Sequence, residues 1–488
     1  MKFFTTLSLL FCFSIALAQY TTPGTGVDWI LDDIASASPG TVTVSGTTYT
    51  LLEDLTIAAD DILRINTDLT LEIEAGVRIT VLGLGSFLVE ADAVIITAVN
   101  EAAPYDGFRF EEFSTIDIQN ATIQFGGGLQ VLTESFVLNN CVLLNNVSGV
   151  ATGATVTLSR GIPVITNNDF LFNANPAISS GANQSVSAII ENNLIEGNNQ
   201  TNNNRPQINM GATRLNDTLK IRNNTILGDR DLDQAGGIAV ANLVGGALRV
   251  IIEGNTIKDN RYGMTIVGPN SYALIKDNII EDNDTQGNPN LGGSGINFNA
   301  PTGDLTADVT GNQMRRNLWG VTIQGPVDAN FGDDEDNPGL NVFAENGNNG
   351  EIFAIYNNGP TTITAKNNCW VENGEGTLAE AEDVIFHVED DPTLGEVIFD
   401  PVFCEVLRTE DPALAAFSVY PNPANNKLTF QNTNNFETVT FYSISGQELF
   451  TQKVVVGTNT INLNLNTGVY FIAFDGERNQ MVKKIVVK

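Results

Sequence analysis

Ten asparagines recur through the middle of the chain, at Asn120, Asn140, Asn168, Asn193, Asn224, Asn255, Asn278, Asn312, Asn341 and Asn368. Successive steps are 20, 28, 25, 31, 31, 23, 34, 29 and 27 residues. A period that wanders around a fixed centre indicates a stacked scaffold carrying loops of different length. Three residues before the asparagine an aliphatic is usual, as in Ile165, Ile190, Ile221, Ile252 and Ile275. Two residues after it an apolar side chain returns, as in Phe170, Ile195, Ile226, Ile257 and Ile280, and five residues after it a second polar turn former, as in Asn173, Asn198, Asp229, Asn260 and Asn283. The residue just before it is mostly Asn, Gly or Asp.

Asn, Gly and Asp tolerate left-handed backbone angles, so the preceding position can turn a sharp corner. The asparagine then sets an amide where its neighbours one coil up and down also have amides. Such groups can bond side by side within an apolar column and so satisfy buried donors and acceptors. The flanking aliphatics fit short strands, and the second polar corner closes each one. Further strands follow, as in Gly263-Met264-Thr265-Ile266-Val267, Gly320-Val321-Thr322-Ile323 and Tyr272-Ala273-Leu274-Ile275. Three short strands per coil, parallel from coil to coil, make an all-β solenoid. Stacked helices are disfavoured by the short, β-branched, asparagine-rich segments, and the regular leucine spacing of leucine-rich repeats is absent.

Phrases such as Ile190-Glu191-Asn192-Asn193-Leu194-Ile195-Glu196-Gly197-Asn198 resemble the right-handed parallel β-helix repeats of pectate-lyase-like proteins, over roughly residues 107–374. The resemblance implies a fold and leaves function open. Upstream, Val27, Ile30, Leu31 and Ile34 fall on one helical face that can cap the open end of the solenoid, and residues 41–98 read as first coils without the asparagine corner. About 14 coils at ~4.8 Å each would make a body roughly 65 Å long.

At the N-terminus, Lys2, the apolar run Phe3 to Leu17 and Ala16-Leu17-Ala18 before Gln19 read as a cleavable signal peptide over residues 1–18. Its apolar run is shorter than the ~20 residues of a spanning helix. The chain has 57 acidic and 24 basic residues, and loss of Lys2 with the leader gives a charge of −34. That balance repels nucleic acid and anionic lipid and suits a solvated extracellular surface. Three cysteines remain, with no C-x-x-C pair, and His387 is the single histidine. A zinc cluster is therefore excluded, as is a His-activated nucleophile away from that residue. Cys141 and Cys369 lie nine coils apart, about 43 Å at the inter-strand step, beyond the reach of a disulfide. The expected bridge is Cys369–Cys404, which pins the last coil to its cover and leaves Cys141 a buried thiol.

After residue 405 the texture changes. A polar link at 406–416 leads into short alternating strands over 417–488, about seven of them, which read as a small Ig-like β-sandwich. Tyr420-Pro421-Asn422-Pro423, Leu428 to Phe430, Ser445-Gly446, Gly468-Val469-Tyr470 and the closing Lys483-Lys484-Ile485-Val486-Val487-Lys488 resemble, in order and position, the type A sorting domain of the Bacteroidetes type IX secretion system. The resemblance implies export across both membranes by that machinery, with release or surface attachment of the cargo. The expected organisation is thus a leader at 1–18, cap and first coils at 19–106, β-helix repeats and cover at 107–405, linker and sorting domain.

For the body, the expectation is a monomeric secreted or surface protein that binds extracellular glycans or mediates adhesion. The Gly-His-Gly site of pectin hydrolases and the Asp-Pro-His-Glu motif of mannuronan epimerases are absent, Asn66-Thr67-Asp68 lacks partners, and no Thr-x-Thr ladder for ice repeats. The alternative is a polysaccharide lyase on uronate polymers, for which Lys258 or Arg261 would supply a base beside Asp259, Lys276, Asp277 and Asp282, with Arg315 and Arg316 one coil on. Outward, solvated charges account for the same residues. Ca²⁺ is the one cofactor considered, at Asp282-Asn283-Asp284 or at Asp333, Asp334 and Asp336, although neither loop has a complete ligand spacing.

Overall fold

A computed structural model describes residues 19–288, 291–404, 419–421, 423–432, 436–443, 447–476 and 480–488. The leader with Ala18, the linker, Asn422 and Gly446 lie outside them. The chain forms two compact units, Met1–Glu405 and Val406–Lys488.

In the first unit the chain visits three sheets in turn. One coil runs through Val156–Gly161, Val164–Thr166 and Asp169–Leu171, and each strand pairs in parallel with its successor, Ile178–Val186, Ile189–Glu191 and Leu194–Glu196. Repetition builds a first and a second sheet of 14 strands and a third of 13. Strands carry inward and outward side chains alternately, so in-register pairing stacks like on like. Ile165, Ile190, Ile221, Ile252 and Ile275 form one such inward column, each with no exposed surface. The coils that precede the asparagine ladder fill the interior with Phe87, Phe108, Phe110 and Phe136, whose neighbouring rings lie 5.7–6.2 Å apart.

The N-terminal cap is a shorter helix than expected, Leu31–Ala37, with Leu31 and Ile34 buried. Ile30 is its N-cap residue, and Val27 precedes the strand Asp28–Trp29 and is 40% exposed, so neither belongs to the buried helical face. At the other end, Ile385–Phe386 extends the first sheet and Val397–Ile398 the second. The helix Leu378–Glu382 lies between them and the last full coil in sequence, and a disulfide joins Cys369 to Cys404 with Cα atoms 4.4 Å apart.

The second unit is a small Ig-like arrangement of antiparallel sheets. Val419–Tyr420, Lys427–Asn432 and Gly457–Asn462 form one, and Glu448–Lys453, Thr438–Ser443, Gly468–Asp475 and Gln480–Val487 the other. Leu428, Phe430, Val439, Phe441, Ile472, Phe474 and Ile485 are buried in one hydrophobic core.

Candidate functional site

The asparagines are inward and structural. The ladder runs from Asn168 to Asn368, and from Asn193 through Asn224, Asn255, Asn278, Asn312 and Asn341 to Asn368 each Oδ1 accepts both the backbone N–H and the Nδ2–H of the preceding ladder residue, at 2.8–3.0 Å. Each Nδ2 also donates to a backbone carbonyl of an earlier coil, as Asn255 does to Ile221 at 2.9 Å. Asn140 is a correction: it has φ 55° and is itself the corner, and its exposed amide reaches Asn120 Oδ1. Cys141 stands in the ladder position instead, donating its N–H to Asn168 Oδ1 while Sγ receives the Ala121 N–H. Burial pushes that thiol up to about 11.

The second polar corner proves to be a second ladder, of Asn146, Asn173, Asn198, Gln207, Asn260, Asn283, Asn317 and Asn346. Gln207 takes the rung that Asp229 was expected to fill; Asp229 instead accepts from Gln200 and the Asp231 N–H outside. The two ladders flank the third sheet. Beside the second, Gly237, Gly263, Gly295 and Gly320 stack so closely that a Cβ on Gly263 would meet Gly295 O at 2.4 Å.

The candidate lyase residues do not converge. Lys258 ends a third-sheet strand and its ammonium lies 3.0 Å from Asp282, which also pairs with Arg316. Arg315 is paired with Glu281 and Glu372, and Lys276 with Glu253 and Asp277. Arg261 is 8% exposed and donates to Asn204 Oδ1, Gln234 Oε1 and Leu291 O. The acidic loop closes on itself: Asp333 accepts the backbone N–H groups of Glu335, Asp336 and Asn337, which hold its carboxyl below the usual range. Asp334 pairs with Lys366 and Asn367. Among the described residues no three His, Cys, Asp or Glu side chains form a group that could hold a metal ion. His387 is buried in the cover, its Nδ1 accepting the Val397 N–H and its Nε2 3.1 Å from Glu382.

What the structure does assemble is a groove of about 410 Å³ on the outer face of the first sheet. Thr265, Asn297, Thr322 and Tyr356 form one outward column, and Asn299, Gln324 and Asn358 the next, each in register. Ser294 bonds to Thr322, and Asn297 to Thr265. The amides of Asn299, Gln324 and Asn358 make no side-chain hydrogen bond among the described residues. Trp319 lines the groove, stacked on Phe353 at 5.0 Å and edge-on to Tyr356 at 4.4 Å, while Tyr356 stacks on Phe386 at 4.5 Å. The loop Leu291–Gly292, held from beneath by Arg261, forms part of the rim. None of the lining side chains is charged. These residues escaped sequence reading, although their signal was present: uncharged polar residues at alternate outward positions of three successive strands.

In the second unit Tyr420 is exposed at the end of the first strand, with Pro421 and Pro423 following. Gly468 opens the strand that carries Tyr470, whose hydroxyl donates to Asn466 O, and Lys483 and Lys484 lie on the last strand opposite Ile472 and Phe471.

No curated protein matches the chain. Residues 153–324 match the family model described as a right handed beta helix region, and residues 418–488 that of a secretion system C-terminal sorting domain. The chain therefore carries a right-handed β-helix body and a sorting domain that directs it through type IX secretion to the cell surface or the extracellular space.

Proposed function

We propose that the β-helix body binds an extracellular glycan in the groove of the first sheet. One observation carries this: Asn299, Gln324 and Asn358 present uncommitted amides in a row along one side of the groove, and the half-buried Trp319 lines it at the other end of the Gln324 strand. Each amide offers two donors and one acceptor, the complement of vicinal hydroxyls, and an indole supplies a large apolar surface for the C–H face of a sugar ring. Most of a ligand pocket's energy comes from such aromatic anchors. Calorimetric titration of the exported protein with a polysaccharide panel tests the reading. Trp319→Ala should weaken the best ligand by about 2 kcal/mol, roughly thirtyfold, whereas Lys258→Ala on the third sheet should leave affinity unchanged. Equal affinity for wild type and Trp319→Ala would remove the groove from consideration. Unsaturated uronate product that disappears on Lys258→Ala or Arg261→Ala would install the lyase in its place.

A further inference from the structure

The chemistry of the groove also indicates which class of glycan it takes. We infer that the ligand is a neutral, extended polysaccharide lying along the solenoid axis, an inference that rests on the groove being the glycan site.

The distribution of charge is the first ground. After Arg109, the outward column that reaches Thr265 passes Gln130, Thr157, Ser179, Asn209 and Ala239 without a further charged residue. It continues through the groove to Tyr356 in the same way. The third sheet has a shorter uncharged column, from Leu194 to Val342, but each of the other two faces also carries a charged one. On the third sheet, Glu196, Leu227, Lys258, Glu281 and Arg315 stand in one column, and on the second Arg222, Glu253 and Lys276 do. In a chain with 57 acidic residues, nine successive first-sheet positions from Gln130 to Tyr356 thus carry no charge.

A uronate or sulfated polymer laid in the groove would find no cation among the lining residues to pair with. Its charges would lose water without compensation, which is strongly unfavourable, and would meet the repulsion of a net-negative protein. Arg261 is the basic group beneath the rim. Its guanidinium is bonded to Asn204, Gln234 and Leu291 O, and its charge is coupled to that of Asp233. It holds the rim rather than facing the groove. Hydroxyl groups, in contrast, are served by neutral amides that both donate and accept.

Register is the second ground. Asn299, Gln324 and Asn358 repeat at the inter-strand step of ~4.8 Å, close to one sugar residue of an extended chain. Successive coils can thus repeat the same contact to successive sugars, with Trp319 at the other end of the Gln324 strand and Tyr356 one coil further on.

The exported full chain would be titrated with linear β-glucan, xylan and mannan, and in parallel with polygalacturonate and alginate, at low and high salt. At least one neutral polymer should bind, with an affinity that changes less than about twofold with salt, since no ion pair is screened. Polyuronates should bind at least about tenfold more weakly. Gln324→Lys, which sets one cation into the row, should weaken the neutral polymer and strengthen the polyuronate. Salt-sensitive binding of a polyuronate that exceeds every neutral polymer and is lost in Trp319→Ala would overturn the neutral class while leaving the groove in place. Binding of no polymer, or binding indifferent to both Trp319→Ala and Gln324→Lys, would overturn the groove and the class together.

Discussion

Asn255→Ala removes one rung from the middle of the first ladder, and its cost can be worked out bond by bond. Asn255 Oδ1 accepts the Asn224 N–H at 2.9 Å and the Asn224 Nδ2–H at 3.0 Å. Asn255 Nδ2 donates to Ile221 O, Glu253 O and Asn278 Oδ1. After truncation Asn224 Nδ2 keeps Ile190 O, but its second hydrogen and the Asn224 backbone N–H lose their acceptor where no water reaches. Each orphaned donor costs about 1–3 kcal/mol, so two cost roughly 2–6 kcal/mol. In a solenoid the loss should stay local, since each repeat contacts only its neighbours. Urea denaturation gives the total, and hydrogen exchange of peptides containing Asn224 locates it. The matched control is Asn140→Gly, at an exposed corner with φ 55° that glycine adopts freely. It should change stability by no more than about 0.5 kcal/mol. A cost below about 1 kcal/mol for Asn255→Ala, or exchange no faster at Asn224 than in the control, would refute the ladder as a source of stability.

Three other outcomes are expected. Cys141→Asn should extend the ladder by one rung, giving Ala121 N–H an oxygen acceptor in place of sulfur and raising stability by about 1 kcal/mol; a lower denaturation midpoint would contradict this. Reduction of Cys369–Cys404, which are 35 residues apart, should destabilise the C-terminal cover by up to ~4 kcal/mol on loop-entropy grounds, seen as a reductant-dependent melting shift that Cys404→Ser abolishes. Asp61 has no exposed surface, and burial alone would raise its pKa, yet the N–H groups of Val27, Gly24 and Thr25 and the Thr22 side chain bring it from 3.8 down to about 2. A carboxyl lowered on folding contributes stability at pH above its unfolded value and loses it as pH falls through the folded one. Limited proteolysis of the Gly24–Val27 segment should therefore accelerate between about pH 4 and pH 2, and Asp61→Asn should flatten that dependence.

The ladder was legible because an amide in an apolar column leaves the same mark in every coil. Its start was not, because corner and rung both accept asparagine. In Asn139-Asn140-Cys141 the corner residue is Asn140, and only the Asn168 acceptor shows that Cys141 occupies the rung. Left-handed corners at Phe172, Arg316 and Leu340 carry no composition signal at all, with φ of 49°, 53° and 60°. There the coils on either side fix the backbone and override the local penalty of a side chain. Gln207 was hidden for a further reason: it enters the second ladder from the next first-sheet strand, not from the corner. Lys258 and Arg261 looked like neighbours in sequence, but inward Asn260 lies between them. One is ion-paired at the end of a third-sheet strand and the other is buried under the groove rim.

The groove itself depends on what the repeat leaves free. Third-sheet strands between the ladders, such as Thr256–Lys258, Ile279–Glu281 and Gln313–Arg315, have three residues with one inward and two outward side chains. They have room for ion pairs and little else. First-sheet strands such as Ser294–Asn299 and Trp319–Gln324 have six, and so present wider outer surfaces. Second-sheet strands such as Ser271–Lys276 and Leu305–Thr310 are as long but carry charge on that surface. The irregular spacing of the asparagines is also placed unevenly. Five residues separate Lys258 from Met264, whereas twelve separate Glu281 from Ser294, and both connections lead from the third sheet to the first. The extra length supplies Leu291 and Gly292 to the groove. A solenoid whose inward residues are fixed by ladders can change ligand only through outward columns and connection length. The first sheet is where this chain combines a long uncharged column with its variable connections, and for that reason the wandering period, not the constant pattern within it, points to the proposed glycan groove.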